Sequence, residues 1–395
     1  MNSYVTKISP GQAQLWKNKQ PLLTRLDIEL TERCNNNCIH CCINLPADDI
    51  RAKEQELTTA EVKEILKEAA SLGCLTVRFT GGEPLLREDF AELYLFARKL
   101  GLKVLLFTNV TLITLRLAEL FACIPPLEKI EISVYGMKRR SYEAVTRIPG
   151  SFEAAWRGIN LLLEKKIPFV VKSALLPPNK DEMEEFETWA STIPWMDKPP
   201  SYSIFFDLRN RRDNADKNAL IASLRLTPQE GLAVLTRDAE KYRKEMLEFG
   251  AKFMGTPGDL LFRCGAGKGL CIDAYGRAQP CMGVRAPELT VDVLKTGGSP
   301  LQAALERFSR MREMRATNPD YLKRCAVCFL KGLCEQCPAK SWAEHGTLDT
   351  PVEYLCDVAH AQARWIGWLG PNEFGWERAS QEKYIEWKGR NRATL

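Results

Sequence analysis

The first two hundred residues alternate between two patterns. Short apolar runs with hydrophobic positions every second residue read as strands, and longer stretches with an apolar residue every three or four positions read as helices. Strands are expected at Leu26–Leu30, Leu75–Phe79, Val104–Phe107, Lys129–Val134, Phe169–Ser173 and Tyr202–Phe206. Helices fall between them at Ala60–Leu72, Glu88–Leu100, Leu112–Phe121, Phe152–Lys165 and Met183–Ala190, the first opened by a Thr58/Glu61 capping box. Six strands separated by helices predict parallel βαβ units with right-handed crossovers. The fold class is therefore α/β: a partial (β/α)6 TIM-type barrel, with its chemistry at the C-terminal strand ends, and a small cysteine-rich C-terminal domain.

Past the last strand the pattern changes. Residues 207–226 form a polar, charged break whose Arg209, Arg211 and Arg212 read as a solvated loop, the other reading being a rim that touches an anionic substrate. A helix is expected from about Pro228 to Phe249. The division that follows is an N-terminal segment over 1–21, the barrel over 22–227, a bridging helical region over 228–263, the cysteine-rich domain over 264–360 and a tail over 361–395. Trp365, Trp368, Trp376 and Trp387 in the tail are expected to pack on the barrel.

Composition adds little until the cysteines are counted. The 395 residues are 45% hydrophobic and 27% charged, ordinary for a globular protein, and the net charge of +5 is spread along the chain. That balance does not argue for nucleic acid, and no apolar run approaches the length of a membrane span. With no signal peptide the chain reads as cytoplasmic, where thiols stay reduced. Fourteen cysteines are the departure, and they crowd into residues 34–42 and 264–356. Cys74 and Cys123 alone lie outside those stretches, in apolar contexts that suit buried inert thiols.

Cys34, Cys38 and Cys41 stand within eight residues, directly after the first strand. Three thiolates can hold three corners of a cubane iron–sulfur cluster, leaving one iron open to a ligand. A structural zinc competes for such spacing but wants four ligands, and His40, the candidate fourth, lies between two of the cysteines. Cys42 is left over as a buried neighbour. The second strand runs into Thr80-Gly81-Gly82-Glu83-Pro84, one βα unit later and at the same sheet end, so the two motifs should meet. Two glycines let backbone pass close to a ligand, and Glu83 places an acceptor beside it.

Together these motifs resemble the radical S-adenosylmethionine superfamily. The resemblance implies that the open iron chelates the amino and carboxylate groups of S-adenosylmethionine, that Gly81, Gly82 and Glu83 hold the methionyl amine, and that the cofactor is cleaved to a 5′-deoxyadenosyl radical. It implies that His40 takes the usual aromatic position, with its backbone near adenine, and that Ser133 contacts the ribose or carboxylate. Lys172 or Arg147 would neutralise that carboxylate. Asn109 matches a Thr-Asn-Gly position, with Val110 standing where the glycine usually is.

The C-terminal third carries Cys264, Cys271, Cys281, Cys325, Cys328, Cys334, Cys337 and Cys356, the number needed to close two four-iron clusters. A four-cysteine zinc knuckle over Cys325, Cys328, Cys334 and Cys337 competes but leaves the other four unexplained. The region is similar to the SPASM extension of radical S-adenosylmethionine enzymes. By position the resemblance implies a first auxiliary cluster on Cys264, Cys271, Cys281 and Cys337 and a second on Cys325, Cys328, Cys334 and Cys356, three [4Fe-4S] clusters in all. One departure is that only Glu335 and Gln336 separate Cys334 from Cys337, where the family usually has three residues.

SPASM enzymes mostly act on peptides, so the implied activity is oxidative modification of a ribosomally made peptide by crosslinking or side-chain oxidation. A small-molecule substrate, tetrapyrroles among them, is the second reading, and a non-enzymatic iron–sulfur electron carrier the third. Some 25 residues precede the first strand, too few for a leader-binding domain. A peptide substrate would then need a separate leader-recognition protein or a direct contact. Met282 follows Cys281 where sulfatase maturases place an acidic residue, which disfavours that activity. Ferredoxin or flavodoxin is the expected electron donor.

Overall fold

The structure, a computed structural model, describes residues 9–18, 22–254, 258–334 and 336–391. The N-terminal segment is thus described only in part, and Glu335 lies outside the described residues. Six strands run in the expected order: β1 (Arg25–Thr31), β2 (Thr76–Gly81), β3 (Lys103–Thr108), β4 (Leu127–Ser133), β5 (Phe169–Ala174) and β6 (Ser201–Ser203). All five adjacent pairs are parallel.

Alternation along these strands decides which face is which. Leu26, Ile28, Leu30, Val77, Phe79, Val104, Leu106, Ile130, Ile132, Phe169 and Val171 join the main apolar core under the helices. Burial of each such side chain is worth roughly 1.5–3 kcal/mol against exposure. The residues between them, such as Asp27, Glu29, Arg78, Phe107, Glu131 and Lys172, therefore face the concave side. The helix Thr59–Ser71 opens with the expected reciprocal Thr58/Glu61 capping box.

The sheet does not stop at the expected domain boundary. Leu270–Ile272 (β7) pairs with β1 in parallel, and Arg277–Gln279 (β8) and Val291–Asp292 (β9) continue antiparallel, giving a nine-stranded sheet. The first cysteine-rich loop is thereby an extension of the barrel sheet.

Several elements differ from expectation. The sixth strand is only three residues long. Helices at Arg139–Thr146 and Ala215–Ser223 lie where none was expected, the second capped by Asn214, whose side chain accepts from the Lys217 N–H. The expected helix over 228–249 divides into Pro228–Leu235 and Ala239–Phe253, because Asp238 caps a second start by accepting from the Lys241 N–H. Cys74 is buried, but Cys123 is exposed: it sits two positions past Phe121, on the opposite side of its helix.

The tail also departs from expectation. Trp365, Trp368, Trp376 and Trp387 pack with Met254, Cys328, Phe329, Leu330 and Tyr384. They cover the cysteine-rich domain and the end of helix Ala239–Phe253, and not the barrel. No described helix is long and apolar enough to cross a membrane.

Candidate active site and cysteine groups

The two N-terminal motifs meet. The Gly82 N–H donates to the Thr31 carbonyl at 2.7 Å and the Glu83 N–H to the Arg33 carbonyl at 2.8 Å. A Cβ on Gly81 would overlap the Thr31 carbonyl and one on Gly82 that of Arg33, and Gly81 has φ +130°. The glycines thus allow one chain segment to lie against another, immediately ahead of Cys34, where the sequence suggested approach to a ligand.

Glu83 is fully buried and accepts from the Leu85 N–H at 3.1 Å, the Thr108 hydroxyl at 2.8 Å and the Asn109 N–H at 2.7 Å. Burial pushes its carboxyl up to about 7, against the pull of those donors. Asn109 joins this carboxylate to the cysteine loop, since its Nδ2 donates to Asn35 Oδ1 at 2.9 Å and to Cys34 Sγ at 3.7 Å. The Asn36 N–H donates to the same sulfur at 3.4 Å. Val110, in the place of the family's glycine, still takes the left-handed conformation, φ 64°, so the turn survives at the strain cost of a β-branched residue there.

The cysteine loop is held from its far side too. The Asn37 N–H donates to the Thr146 carbonyl at 2.9 Å and the Ile39 N–H to that of Val145 at 3.0 Å. Arg147 follows in a left-handed turn with its side chain exposed. Lys217 Nζ donates to the Cys38 carbonyl at 2.7 Å. Arg209 is 3% exposed and ion-paired with Asp213 at 2.6 Å, and Arg211 pairs with Glu32. Arg209 and Lys217 therefore hold the loop, so that Arg209 and Arg211 are not solvated as expected, whereas Arg212 and the run 212–216 are exposed.

His40 packs against Tyr135 (ring centroids 5.1 Å apart) and Phe206 (5.4 Å), and Ser133 ends β4 two residues before Tyr135. Burial lowers the His40 imidazole to about 4, leaving it neutral, and its buried Nδ1 has no partner. Asn36 is 3% exposed with neither amide atom satisfied, a residue that sequence reasoning missed. Burial pushes the Cys34 thiol up to about 12 and that of Cys38 well above its usual value, so a bound metal is what would make them thiolates. N–H groups on Cys34 Sγ, the cation Lys217 and unsatisfied buried polar atoms nearby suit an iron–sulfur cluster with a polar ligand beside it.

The concave face carries a continuous polar row. Arg78 pairs with Asp27 at 3.4 Å and lies over Phe107, and Lys172 lies over the same ring and pairs with Glu131 at 3.1 Å. A cofactor carboxylate at Lys172 would thus compete with Glu131. The cysteine-rich domain closes over this row. Met282 Sδ accepts from Arg78 at 2.9 Å, Arg285 pairs with Glu29, and the Tyr275 hydroxyl donates to Glu32 at 2.7 Å. Oε2 of Glu29 remains buried without a hydrogen-bond partner.

Seven of the eight C-terminal cysteines fall into two groups, and Cys271 stands apart from both. Cys325, Cys328, Cys334 and Cys356 line one cavity together with Arg324, Lys331 and His360. Cys337 lines a different cavity with Cys264, and Cys281 is a charge neighbour of both. A zinc knuckle over Cys325, Cys328, Cys334 and Cys337 is not the arrangement found. Cys271 sits opposite Asp27 and Gln279 in the sheet, and its thiol is pushed well up by burial and by the charge of Glu29, against the pull of Arg285. Cys42 is half-buried. Among the described residues no set of three or more His, Cys, Asp or Glu side chains converges on a single metal ion.

Known proteins resemble this chain. The sequence model of the radical SAM superfamily matches residues 28–190. The mycofactocin maturase MftC of Mycolicibacterium smegmatis is 30% identical over 318 residues, 76% of this chain and 74% of that one. The chain belongs to the radical SAM superfamily. Another relative, the AdoMet-dependent heme synthase of Methanosarcina barkeri, is 27% identical over 336 residues, covering 80% of this chain and 92% of its own. Among solved structures, anSMEcpe with bound AdoMet and Cp18Cys peptide superposes with a TM-score of 0.55 at 14% identity, over 93% of this chain and 99% of that one. As a radical SAM enzyme the protein uses a [4Fe-4S] cluster and S-adenosylmethionine.

Proposed function

We propose that this radical SAM enzyme oxidatively modifies a ribosomally made peptide, by a crosslink or by side-chain oxidation. In this reading Cys34, Cys38 and Cys41 hold the cluster that binds the cofactor. Gly81, Gly82 and Glu83 receive the methionyl amine, His40 lies beside adenine, and Ser133 serves the ribose or carboxylate. Cys264, Cys271, Cys281 and Cys337 hold a first auxiliary cluster, and Cys325, Cys328, Cys334 and Cys356 a second. When bound, cluster and cofactor supply one-electron reduction and hydrogen-atom abstraction at the mouth of the barrel.

The protein's own residues do the rest. Asn109 fixes Glu83 against Cys34, Lys217 and Arg209 hold the cysteine loop in place, and the row from Asp27 to Glu131 offers paired acceptors and donors to a polar substrate. The observation that carries the oxidative reading is the sorting of seven of the eight C-terminal thiols into two groups, one of them adjoining the barrel face through Met282 and Arg78. Closed clusters there suit removal of an electron from a substrate after hydrogen abstraction. Peptide as the substrate class is supported by the relationship to the mycofactocin maturase and by a fold shared with a structure that contains a peptide.

A tetrapyrrole substrate is the second reading, favoured by a heme synthase relative matched over 92% of its length. Co-expression with candidate short peptides, followed by mass spectrometry, separates the two. Loss of two hydrogens or a crosslink in the peptide is the expected result. Turnover of a tetrapyrrole with every peptide unchanged would contradict it.

A further inference from the structure

The four-cysteine cavity contains a feature the reaction scheme does not use. Cys356 and His360 stand four apart on the helix Glu353–Ile366, hence on one face. His360 is 3% exposed. Its Nδ1 lies 2.7 Å from the Cys356 carbonyl and 3.5 Å from Cys356 Sγ. Its Nε2 faces the Gly375 N–H at 3.1 Å. A carbonyl can only accept and a backbone N–H can only donate, so both ends of the ring give the same answer: the proton is on Nδ1 and Nε2 is bare. The Nδ1–H is then shared between the carbonyl and the sulfur. Arg324 Nη2 donates to the same sulfur at 3.7 Å while its guanidinium is held by Glu353 at 2.7 and 2.8 Å and lies over Trp376.

The tail fixes this arrangement. Gly375 accepts from the Phe329 N–H at 3.1 Å, and a Cβ at Gly375 would come within 2.7 Å of Cys328 Sγ. Phe374 and Trp376, on either side, meet the His360 ring at 5.7 and 5.0 Å. Trp376 lines the cavity. The tail segment 374–376 thus seals the four thiols from one side and dictates which nitrogen of His360 carries hydrogen.

We propose that His360 and Arg324 are potential-setting residues: their N–H groups on Cys356 Sγ raise the reduction potential of the second auxiliary cluster and make it an electron acceptor, with the tail as the device that holds His360 in its donor form. The inference rests on the reading that these four cysteines hold a cluster. Hydrogen bonds to cluster sulfurs stabilise the reduced, more negative state, and a cation beside the thiolate acts in the same direction.

The test is a potentiometric titration of the anaerobically reconstituted full-length enzyme, followed by electron paramagnetic resonance, with iron counted on the same samples. In His360→Leu the reduced-to-oxidised ratio of the second auxiliary cluster at its original midpoint should fall about tenfold, equal to about 59 mV for a one-electron couple. Its iron should stay at the wild-type level. His360→Asn, which keeps a donor near the same place, should recover most of the shift. Arg324→Met should move the midpoint in the same direction, and it decides the matter if His360→Leu loses the cluster. Full iron with unmoved midpoints in both donor variants overturns the inference alone. Wild-type enzyme with no third cluster signal overturns the reading beneath it.

Discussion

To hold the methionyl ammonium proposed for it, Glu83 must be charged, and its surroundings set when that happens. An ordinary glutamate releases its proton near 4.5, whereas burial holds this one until about 7. Between those values the folded protein carries a proton that the unfolded chain has lost. The contribution of this group to folding is therefore complete at low pH and declines as pH rises toward 7. Affinity for S-adenosylmethionine should run the opposite way, rising about tenfold per unit below pH 7 and levelling off above it. Equilibrium binding to the anaerobic enzyme measures this, and Glu83→Gln should bind weakly with no slope. At this scale the meeting of the cysteine loop and the Gly-Gly-Glu was legible because both motifs follow strands at the same end of the sheet. Asn36, Lys217 and Arg285 were not: each matters through a partner distant in sequence or, for Asn36, through the lack of one, which no local pattern encodes.

Among elements, the contact that ties the cysteine-rich loop to the barrel is Arg285 on Glu29, both nearly fully buried. Removing one partner of such a pair strands the other charge. Arg285→Met should destabilise the protein by about 3–5 kcal/mol in denaturant titrations, and Arg285→Met with Glu29→Leu should regain most of it. The cysteine loop behaves as a second unit. Replacing Cys34, Cys38 and Cys41 together with Ala should abolish 5′-deoxyadenosine release, read by chromatography, while auxiliary iron remains. Strands β1 to β5 were readable from alternation because one face is apolar and the other polar. The helices Arg139–Thr146 and Ala215–Ser223 were hidden by their charged sequences, and their stability comes from docking on the cysteine loop and its surroundings. The extension of the sheet through β7 had no signature, since three residues of strand are too few to show a period.

For the molecule as a whole, the barrel sheet continues into the cysteine-rich domain, and the tail packs over that domain's second group of thiols. The reconstituted protein should bind close to 12 iron and 12 sulfide, the content of three cubanes, and a value near four would remove both auxiliary clusters. Cys271→Ser and Cys337→Ser should each lower that total, because both are assigned to the first auxiliary cluster. Sequence patterning made the barrel and the cysteine groups visible, but not that the Trp-rich tail covers the second group. Aromatic residues without a period say only that they will be buried, not against what.

The central claim is that the N-terminal cluster keeps one iron free for S-adenosylmethionine. Electron paramagnetic resonance of the reduced enzyme, recorded with and without the cofactor, tests it most directly. The signal that disappears in the Cys34, Cys38 and Cys41 variant should change shape when the cofactor is added, and Glu83→Gln should need more cofactor for the same change. A signal from that cluster that stays identical at saturating cofactor would contradict the account.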